Sequence, residues 1–371
     1  MLEEGRVGTT EAIAATVYFL SSKLFVSFPQ QMATVGLTAA WIVPIVSFGT
    51  GAVGFLIIAA LLQRYPRKSI VEIGEEVAGP AVGIAASLGY LAFFFAATVL
   101  VMRDFSETVG TALLPRTPLS VVMLIFVLVT LAAASLGIEA LTRAALLAAP
   151  LIVATLVFLN LLSLPQANFD ALFPVLGPGP GKIVCHGVLH SAVTGEVMFL
   201  GVIAPQLRDG HKLRMMGVLS IAITAFFTSV SLLVFVSVFP YPFCAHIPYP
   251  GYETSTLIYV GRFFQRVEVA FVFLWVISGC IELGLGAYTS TMILARMLKL
   301  PVYRPILPAV ALLGYTLAFV PPDVPTATRL DFEIVRTFGG IAVFVVPAVL
   351  LLVAQVKQSR SGRKRGRARG T

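Results

Sequence analysis

Long apolar runs separated by short polar segments dominate the chain. Crossing the hydrocarbon core of a bilayer takes ~20 predominantly apolar residues in a helix. Ten such runs lie near residues 10–35, 39–62, 82–112, 118–138, 143–164, 183–205, 214–240, 263–295, 304–321 and 333–356. The pattern predicts an all-α integral membrane protein with about ten transmembrane helices, folded as a single transporter-like domain over residues 1–356.

Composition supports a membrane protein and excludes several other classes. Hydrophobic residues make up 58% of the 371 positions and charged residues only 12%, whereas soluble domains carry about 25% charged residues. The net charge of +8 is concentrated at the end, since seven of the 26 basic residues lie in 357–371. We interpret this segment as a basic cytoplasmic tail attracted to anionic membrane lipid, not as a nucleic-acid-binding region.

The distribution of basic residues predicts the orientation. With the N-terminus inside, eighteen Lys and Arg residues fall in cytoplasmic segments and seven in the outer loops and helix ends, so both termini are expected to be cytoplasmic. Ten spans also divide into two five-helix halves of opposite topology, about 10–164 and 183–356. This 5+5 inverted repeat is common among transporters, whose binding sites lie where corresponding helices are broken.

The first apolar run contains a lysine and a proline at mid-membrane depth. Proline removes a backbone donor and clashes with the preceding turn, so nearby carbonyls are expected to lose their intrahelical partners. The candidate ligand-binding residues of this run are Phe25, Val26, Ser27 and Pro29. The alternative is that Pro29 only kinks the helix.

The sixth run, which begins the second half, has a corresponding interruption at Thr194, Gly195 and Glu196. Gly195 allows the helix to unwind, and the N-terminus of a half-helix attracts anionic groups. Backbone amides would suit the carboxylate of an amino acid, and Glu196 would suit its ammonium. The alternative is that Gly195 only permits close helix packing.

Two further charges lie within spans. A charge near the bilayer centre costs at least ~2.5 kcal/mol on insertion scales, so Lys23 and Glu282 must face the bundle interior, a cavity or a partner. Lys23 is expected to act as a fixed cation in place of a bound one, or to carry a coupling proton, with Glu196 or Glu282 as its partner. Alternatively, Lys23 extends to the lipid headgroups.

Other polar residues favour structural roles. Arg103 and Glu107 have the spacing of an ion pair within a helix, and Arg266 and Glu268 each require a partner from another helix. The imidazoles of His186 and His190 share a helix face, but no third ligand pattern accompanies them, so no metal site is predicted. No nucleotide-binding or nucleophile motif occurs in a suitable context, and we expect neither a cofactor nor enzymatic activity.

Several phrases resemble the endospore germination permease family, the B subunit of germinant receptors, within the amino acid/polyamine/organocation superfamily. They are Lys-Leu-Phe at 23–25 through Pro29, Leu-Leu-Gln-Arg-Tyr-Pro at 61–66, Arg-Asp-Phe-Ser-Glu at 103–107, Leu-Pro-Arg-Thr-Pro at 114–118, Gly-Ile-Glu-Ala-Leu-Thr-Arg at 137–143, and Arg-Val-Glu at 266–268 with Trp275.

The resemblance implies a leucine-transporter-like fold with broken helices 1 and 6 and residence in the spore inner membrane. It also implies a complex with a membrane-anchored A subunit and a C-subunit lipoprotein. In the family, the segments matching 24–29 and 194–196 would frame a germinant pocket, usually for an amino acid. Many members have a glycine-rich break where this chain has Lys23 to Ser27.

Three functions remain open from the sequence. The first is a nutrient-sensing receptor subunit that binds a small ligand and signals by conformational change. The second is a proton- or cation-coupled amino acid transporter, in which Lys23, Glu196 or Glu282 carries the coupling proton. The third is a component of an ion channel.

Overall fold

The computed structural model describes residues 5–247, 249–257 and 267–368, without the side chains at 22, 25, 267–270 and 359–368. Within these ranges the α-helices are α1 (Thr9–Ser21), α2 (Phe28–Gly36), α3 (Val43–Arg64), α4 (Ile70–Ala78), α5 (Pro80–Ala112), α6 (Leu119–Ser135), α7 (Ile138–Ser163), α8 (Pro180–Leu189), α9 (Phe199–Val202), α10 (Leu213–Val238), α11 (Pro250–Thr256), α12 (Val267–Met297), α13 (Leu307–Leu317), α14 (Val324–Arg329), α15 (Arg336–Gly340) and α16 (Val346–Ala368).

Ten apolar segments of the described chain account for the predicted spans. Seven are long and apolar enough to cross a membrane: Val43–Arg64, Pro80–Ala112, Ile138–Gln166, Pro180–Val202, Gly210–Val238, Phe271–Met297 and Val324–Gln358. Leu119–Ser135 and Arg304–Leu317 are shorter apolar helices. The remaining span is the interrupted first helix, which runs through α1 and α2.

The predicted start of the tenth span and the predicted end of the ninth differ from the structure. The tenth span begins at Val324, nine residues before the predicted start at 333, because Val324–Arg329 already forms α14. Asp323 starts this helix by accepting a hydrogen bond from the Thr326 N–H, a cap that precedes the strongly apolar part. The ninth helix ends at Leu317 instead of 321.

The tenth span is a continuous run of helix that contains two π-helical turns, Leu330–Val335 and Ile341–Val345. A π turn inserts an extra residue into the helix and is frequently found at functional sites. The span continues in α16 to Ala368, beyond residue 356.

A short helix, α4, lies between the second and third spans. Ser69 and Glu72 form its capping box: the Ser69 Oγ accepts from the Glu72 N–H and the Glu72 carboxylate accepts from the Ser69 N–H. Both orphan donors at the helix start are thereby satisfied. α4 packs along α5, which also packs against α12, so the third span is held from two sides.

The sixth span lies against the second and requires small residues at the contact. A Cβ atom on Gly51 of α3 would lie 1.8 Å from the Thr194 Oγ1, and one on Gly195 would lie 2.4 Å from the Phe93 Cζ. Neither distance is possible for real atoms. Glycine at both positions therefore permits the close approach of the sixth span to the second and third.

Candidate ligand site at the broken helices

The first span is interrupted between α1 and α2. Residues Ser22–Phe25 form a 3₁₀ turn, Val26 leaves the helical region at φ −106° and ψ −136°, and α2 starts at Phe28. Pro29 lies in the first turn of α2, where a missing N–H has no partner to lose. The break therefore precedes the proline, and Pro29 starts the second half-helix instead of kinking a continuous one.

The sixth span changes its helical geometry instead of opening. After α8 ends at Leu189, Ser191–Met198 forms a 3₁₀ helix of eight residues, whereas such runs rarely exceed 3–4 residues. The Thr194 hydroxyl donates to the Ser191 carbonyl within this segment, at 2.8 Å. Its hydroxyl is thus used inside its own turn.

Lys23 connects the two interruptions. Its Nζ donates to the Val193 carbonyl at 2.6 Å and to the Glu196 Oε2 at 2.9 Å. The Lys23 side chain is 7% exposed and that of Glu196 is 2% exposed. The ammonium thus points into the bundle. The sequence offered Glu196 or Glu282 as its partner, and the described contacts are with Glu196.

The tenth span supplies a second cation. The Nη1 of Arg336 donates to the Glu196 Oε1 at 2.5 Å, and its Nε lies 3.1 Å from each carboxylate oxygen of Asp331. Arg336 is 1% exposed, and its guanidinium lies 5.7 Å from the centroid of the Phe93 ring. We call Lys23, Glu196, Asp331 and Arg336 the central cluster.

The sequence analysis missed Arg336 and Asp331 because it placed the start of the tenth span too late. With that start, Arg336 appeared to lie at a membrane surface. In the structure it is twelve residues after Val324, or about 18 Å along the helix at 1.5 Å per residue. A search for paired charges five residues apart, the repeat of a π turn, would have signalled Asp331 and Arg336.

Asp104 of α5 reaches the first break. Its Oδ2 accepts a hydrogen bond of 2.7 Å from the Ser27 hydroxyl, and the residue is 6% exposed. Its Oδ1 has no hydrogen-bond partner within the described part of the chain. The sequence analysis named Asp104 only within the segment 103–107. In the structure Arg103 pairs with Glu107, and Asp104 faces the first span.

A pocket lies beside these charges. It contains about 430 Å³ of space free of protein atoms, part of it open to solvent. The first, third, sixth and tenth spans contribute its lining residues: Lys23, Val26, Ser27, Phe28, Gln31, Leu100, Val101, Asp104, Val193, Ala327, Thr328, Asp331, Phe332 and Arg336. Seven of the fourteen lining residues are apolar and seven are polar or charged, and apolar surface with convergent polar groups is typical of small-molecule sites.

The predicted ligand-binding residues take different positions around this pocket. Val26 and Ser27 line it, while Glu196 lies behind Lys23 and Arg336. Gly195 packs on Phe93, and Pro29 lines a separate cavity. The side chain of Phe25 lies outside the described residues.

The other predicted charges are also placed by the structure, in part. Arg103 forms an ion pair with Glu107, with the Arg103 Nη2 2.7 Å from the Glu107 Oε2. Glu282 is buried in α12 at 4% exposed. Arg266 and the side chain of Glu268 lie outside the described residues.

The imidazole rings of His186 and His190 in the sixth span form stacking contacts. His190 stacks on Phe332 with ring centroids 4.0 Å apart and also stacks on His186. Its Nδ1 lies 2.9 Å from the His186 carbonyl. Among the residues that the structure describes, no group of three His, Cys, Asp or Glu side chains is arranged to hold a metal ion.

Ten apolar helices with interruptions in the first and sixth define the leucine-transporter type of fold. The crystal structure of MhsT in complex with L-phenylalanine superposes on the chain with a TM-score of 0.67, covering 95% of this chain and 89% of MhsT at 13% sequence identity. The predicted all-α fold class is thereby confirmed, and the chain is a multi-pass membrane protein of this class.

The chain belongs to the spore germination permease family, whose model, described as spore germination protein, matches residues 7–325. Bacillus subtilis spore germination protein KB is 25% identical over 308 residues, covering 80% of each chain. Bacillus subtilis spore germination protein YndE is 21% identical, covering 88% of each chain, and spore germination protein B2 of the same organism is 22% identical, covering 70% of this chain and 72% of that protein. The family resemblance is confirmed.

Proposed function

We propose that the chain is the nutrient-sensing B subunit of a spore germinant receptor. It binds a small ligand, an amino acid, at the broken first and sixth helices, and it signals through an A subunit and a C-subunit lipoprotein. The observation that carries the proposal is the bridge Lys23–Glu196–Arg336, which joins the first, sixth and tenth spans beside a pocket. Family membership supports the role in germination.

The bridge gives the ligand a means of changing the conformation. Three spans meet through one buried carboxylate, so a ligand whose carboxylate binds Arg336 beside Glu196 acts on the contact between the sixth and tenth spans. A ligand shifts a conformational equilibrium only as far as its affinity differs between the two states. Binding beside the intact bridge supplies such a difference, because the bridge fixes the position of Arg336 relative to the sixth span.

Hydrogen bonds between the N-terminal segment and the loop after the sixth span support a mechanism with two conformations. The Val7 N–H donates to the Gln206 carbonyl and the Arg208 N–H donates to the Val7 carbonyl, both at 2.9 Å. The Thr9 hydroxyl donates to the Asp209 Oδ2 at 2.8 Å. These contacts fasten the chain before the first span to the loop after the sixth, so movement of these two segments apart breaks them. We propose that this end is cytoplasmic, as the positive-inside pattern predicts.

Replacing Glu196 by glutamine tests the proposed site. The neutral amide holds Lys23 and Arg336 less firmly, so Arg336 is no longer positioned beside the pocket. The amino acid concentration that gives half-maximal germination is therefore expected to rise at least about tenfold, the change that one charge-assisted hydrogen bond brings. Spores would carry the variant with its A and C partners, and an immunoblot of the inner membrane would verify its level.

Glu333→Gln is the matched control, since Glu333 is an exposed glutamate of the tenth span outside the central cluster. Its dose response should equal that of the wild type. A Glu196→Gln variant that is present at normal levels with an unchanged dose response would remove Glu196 from the site.

The second candidate function is a proton- or cation-coupled amino acid transporter, which the fold supports. Uptake of labelled amino acids into proteoliposomes distinguishes the two functions. Binding without accumulation favours the receptor, whereas accumulation driven by a proton or sodium gradient favours the transporter, with Lys23 or Glu282 as the coupling residue.

A further inference from the structure

Asp104 is a buried carboxylate that lines the pocket. Neither cation of the central cluster forms an ion pair with it among the described residues. The cluster contains two cations, Lys23 and Arg336, and two carboxylates, Glu196 and Asp331, each held within an ion pair. Asp104 lines the same pocket and lies in no ion pair of the described residues. Its single polar contact with a side chain is the Ser27 hydroxyl, at 2.7 Å.

The unused atoms around the pocket have opposite character. The Asp104 Oδ1 and the Arg336 Nη2 are both buried without a hydrogen-bond partner in the described part of the chain. Leaving a buried polar atom without a hydrogen-bond partner costs about 1–3 kcal/mol of free energy. A ligand that hydrogen-bonds to both atoms therefore gains binding free energy. The Asp104 Oδ1 can accept a hydrogen bond from a cationic group, and the Arg336 Nη2 can donate one to an anionic group.

Glu196 is poorly placed to bind the ammonium of a ligand. Its two carboxylate oxygens already accept from Lys23 and Arg336, at 2.9 and 2.5 Å. It also does not line the pocket. A positively charged ligand group near Glu196 would meet two cations, whereas near Asp104 it would meet an unneutralised carboxylate.

We propose that Asp104 binds the ammonium group of an α-amino acid whose carboxylate is bound by the Arg336 Nη2. This inference rests on the proposed function and assigns the cationic half of recognition to the third span. Ser27 positions the Asp104 carboxylate through its hydrogen bond. The two ends of the zwitterion then join the third span to the tenth, next to the first break.

The test uses the purified full-length chain in detergent micelles. Each of the twenty standard L-amino acids is added at millimolar concentration, and its effect on the melting temperature is recorded. At least one is expected to stabilise the chain. Its 2-hydroxy acid analogue, in which a neutral hydroxyl replaces the ammonium, is expected to bind at least about tenfold more weakly, the scale of a charge-assisted contact.

The Asp104→Asn variant separates recognition from folding. The wild-type preference for the amino acid over its hydroxy acid should largely disappear, because the asparagine side chain carries no negative charge. Asp104→Glu, which keeps the charge, should retain a preference for the amino acid. Asp170→Asn, at an exposed aspartate outside the pocket, is the control and should behave as the wild type. Melting temperatures without ligand verify that each variant is folded.

Three results would overturn the inference, and they differ from failure of the proposed function. They are that none of the twenty amino acids stabilises the chain, that Asp104→Asn keeps the full preference, or that it weakens both ligands equally. In each case the receptor proposal stands if spores carrying the chain still respond to a nutrient in a Glu196-dependent manner.

Discussion

Arg103 and Asp104 are neighbouring buried charges on the third span, and their surroundings differ. Arg103 donates through Nε to Glu107 and through Nη1 and Nη2 to the carbonyls of Ala318 and Pro322. Protein groups therefore engage all three of its nitrogens. In the central cluster, by contrast, the Arg336 Nη2 has no partner among the described residues, and Asp104 nearby has a free oxygen.

The comparison teaches that burial of a charge does not by itself mark a ligand site. Arg103 and Asp104 are adjacent in sequence, but side chains of neighbouring helical residues point about 100° apart. Arg103 consequently faces the connection between α13 and α14, while Asp104 faces the first break. Arg103 joins the third span to the connection between α13 and α14. Asp104 has a carboxylate oxygen without a hydrogen-bond partner among the described residues, beside the pocket.

Replacing Arg336 by methionine is expected to have the largest effect on stability. Removing one partner of a buried ion pair leaves an uncompensated charge, so the free energy of unfolding should fall by about 3–5 kcal/mol. Equilibrium unfolding in detergent micelles would measure the change. The control is Arg329→Met, because Arg329 and Glu333 are 76% and 62% exposed and such pairs contribute at most about 1 kcal/mol. Equal losses in the two variants would contradict the central role of Arg336.

A double-mutant cycle on Lys23 and Glu196 comes next in size. Lys23→Met, Glu196→Gln and the combined variant should give a coupling energy of about 1–3 kcal/mol, as expected for contacting residues in one charge network. The same changes at Lys68 and Glu76, whose side chains are each 45% exposed, should give about 0.2–1 kcal/mol. Absence of coupling between Lys23 and Glu196 would favour the alternative in which Lys23 extends to the headgroups.

Gly195→Ala tests whether packing supports the central cluster. The new methyl group would collide with the Phe93 ring, on which the Arg336 guanidinium also rests. Overpacking of this kind lowers the free energy of unfolding by about 1–3 kcal/mol. Gly181→Ala in α8 of the same span meets no atom within 4 Å and should be neutral or slightly stabilising. A neutral Gly195→Ala would show that Phe93 yields without strain.

Glu107→Gln should have the smallest effect and leave germination unchanged. Arg103 keeps its two carbonyl acceptors and the glutamine oxygen still accepts, so the loss of stability should be about 1 kcal/mol. The germination dose response of spores carrying the variant should match the wild type. A shift as large as that of Glu196→Gln would place the Arg103 pair in the ligand site and remove the distinction drawn above.

The positions of both interruptions were predictable from local chemistry. Pro29 and the polar run around Lys23 indicated a break in the first span, and Gly195 beside Glu196 indicated a change in the sixth. The geometry of each was less predictable. Pro29 turned out to start a half-helix, and Ser191–Met198 formed a long 3₁₀ segment. Proline and glycine permit several local conformations, and packing selects among them.

Side chains that meet across the bundle were only partly predictable. Lys23 was expected to require a partner within the bundle, and in the structure it contacts Glu196. The predicted tenth span, 333–356, began too late to include Asp331 and placed Arg336 at its edge, and Asp104 was named only within the segment 103–107. These errors share a cause, because depth depends on where each helix begins and direction depends on its rotation, and hydropathy specifies neither to within one residue.

Composition and pattern by themselves determined the membrane class and the number of spans, since apolar runs of ~20 residues have few other stable arrangements. The family was indicated by the resemblance of short sequence segments. Tertiary structure alone decided which charges meet. A buried charge must find an opposite charge or a hydrogen bond, but several candidates satisfy that requirement in sequence. Packing of the first, third, sixth and tenth spans brings Lys23 and Arg336 into ion pairs with Glu196 and places Asp104 at the pocket.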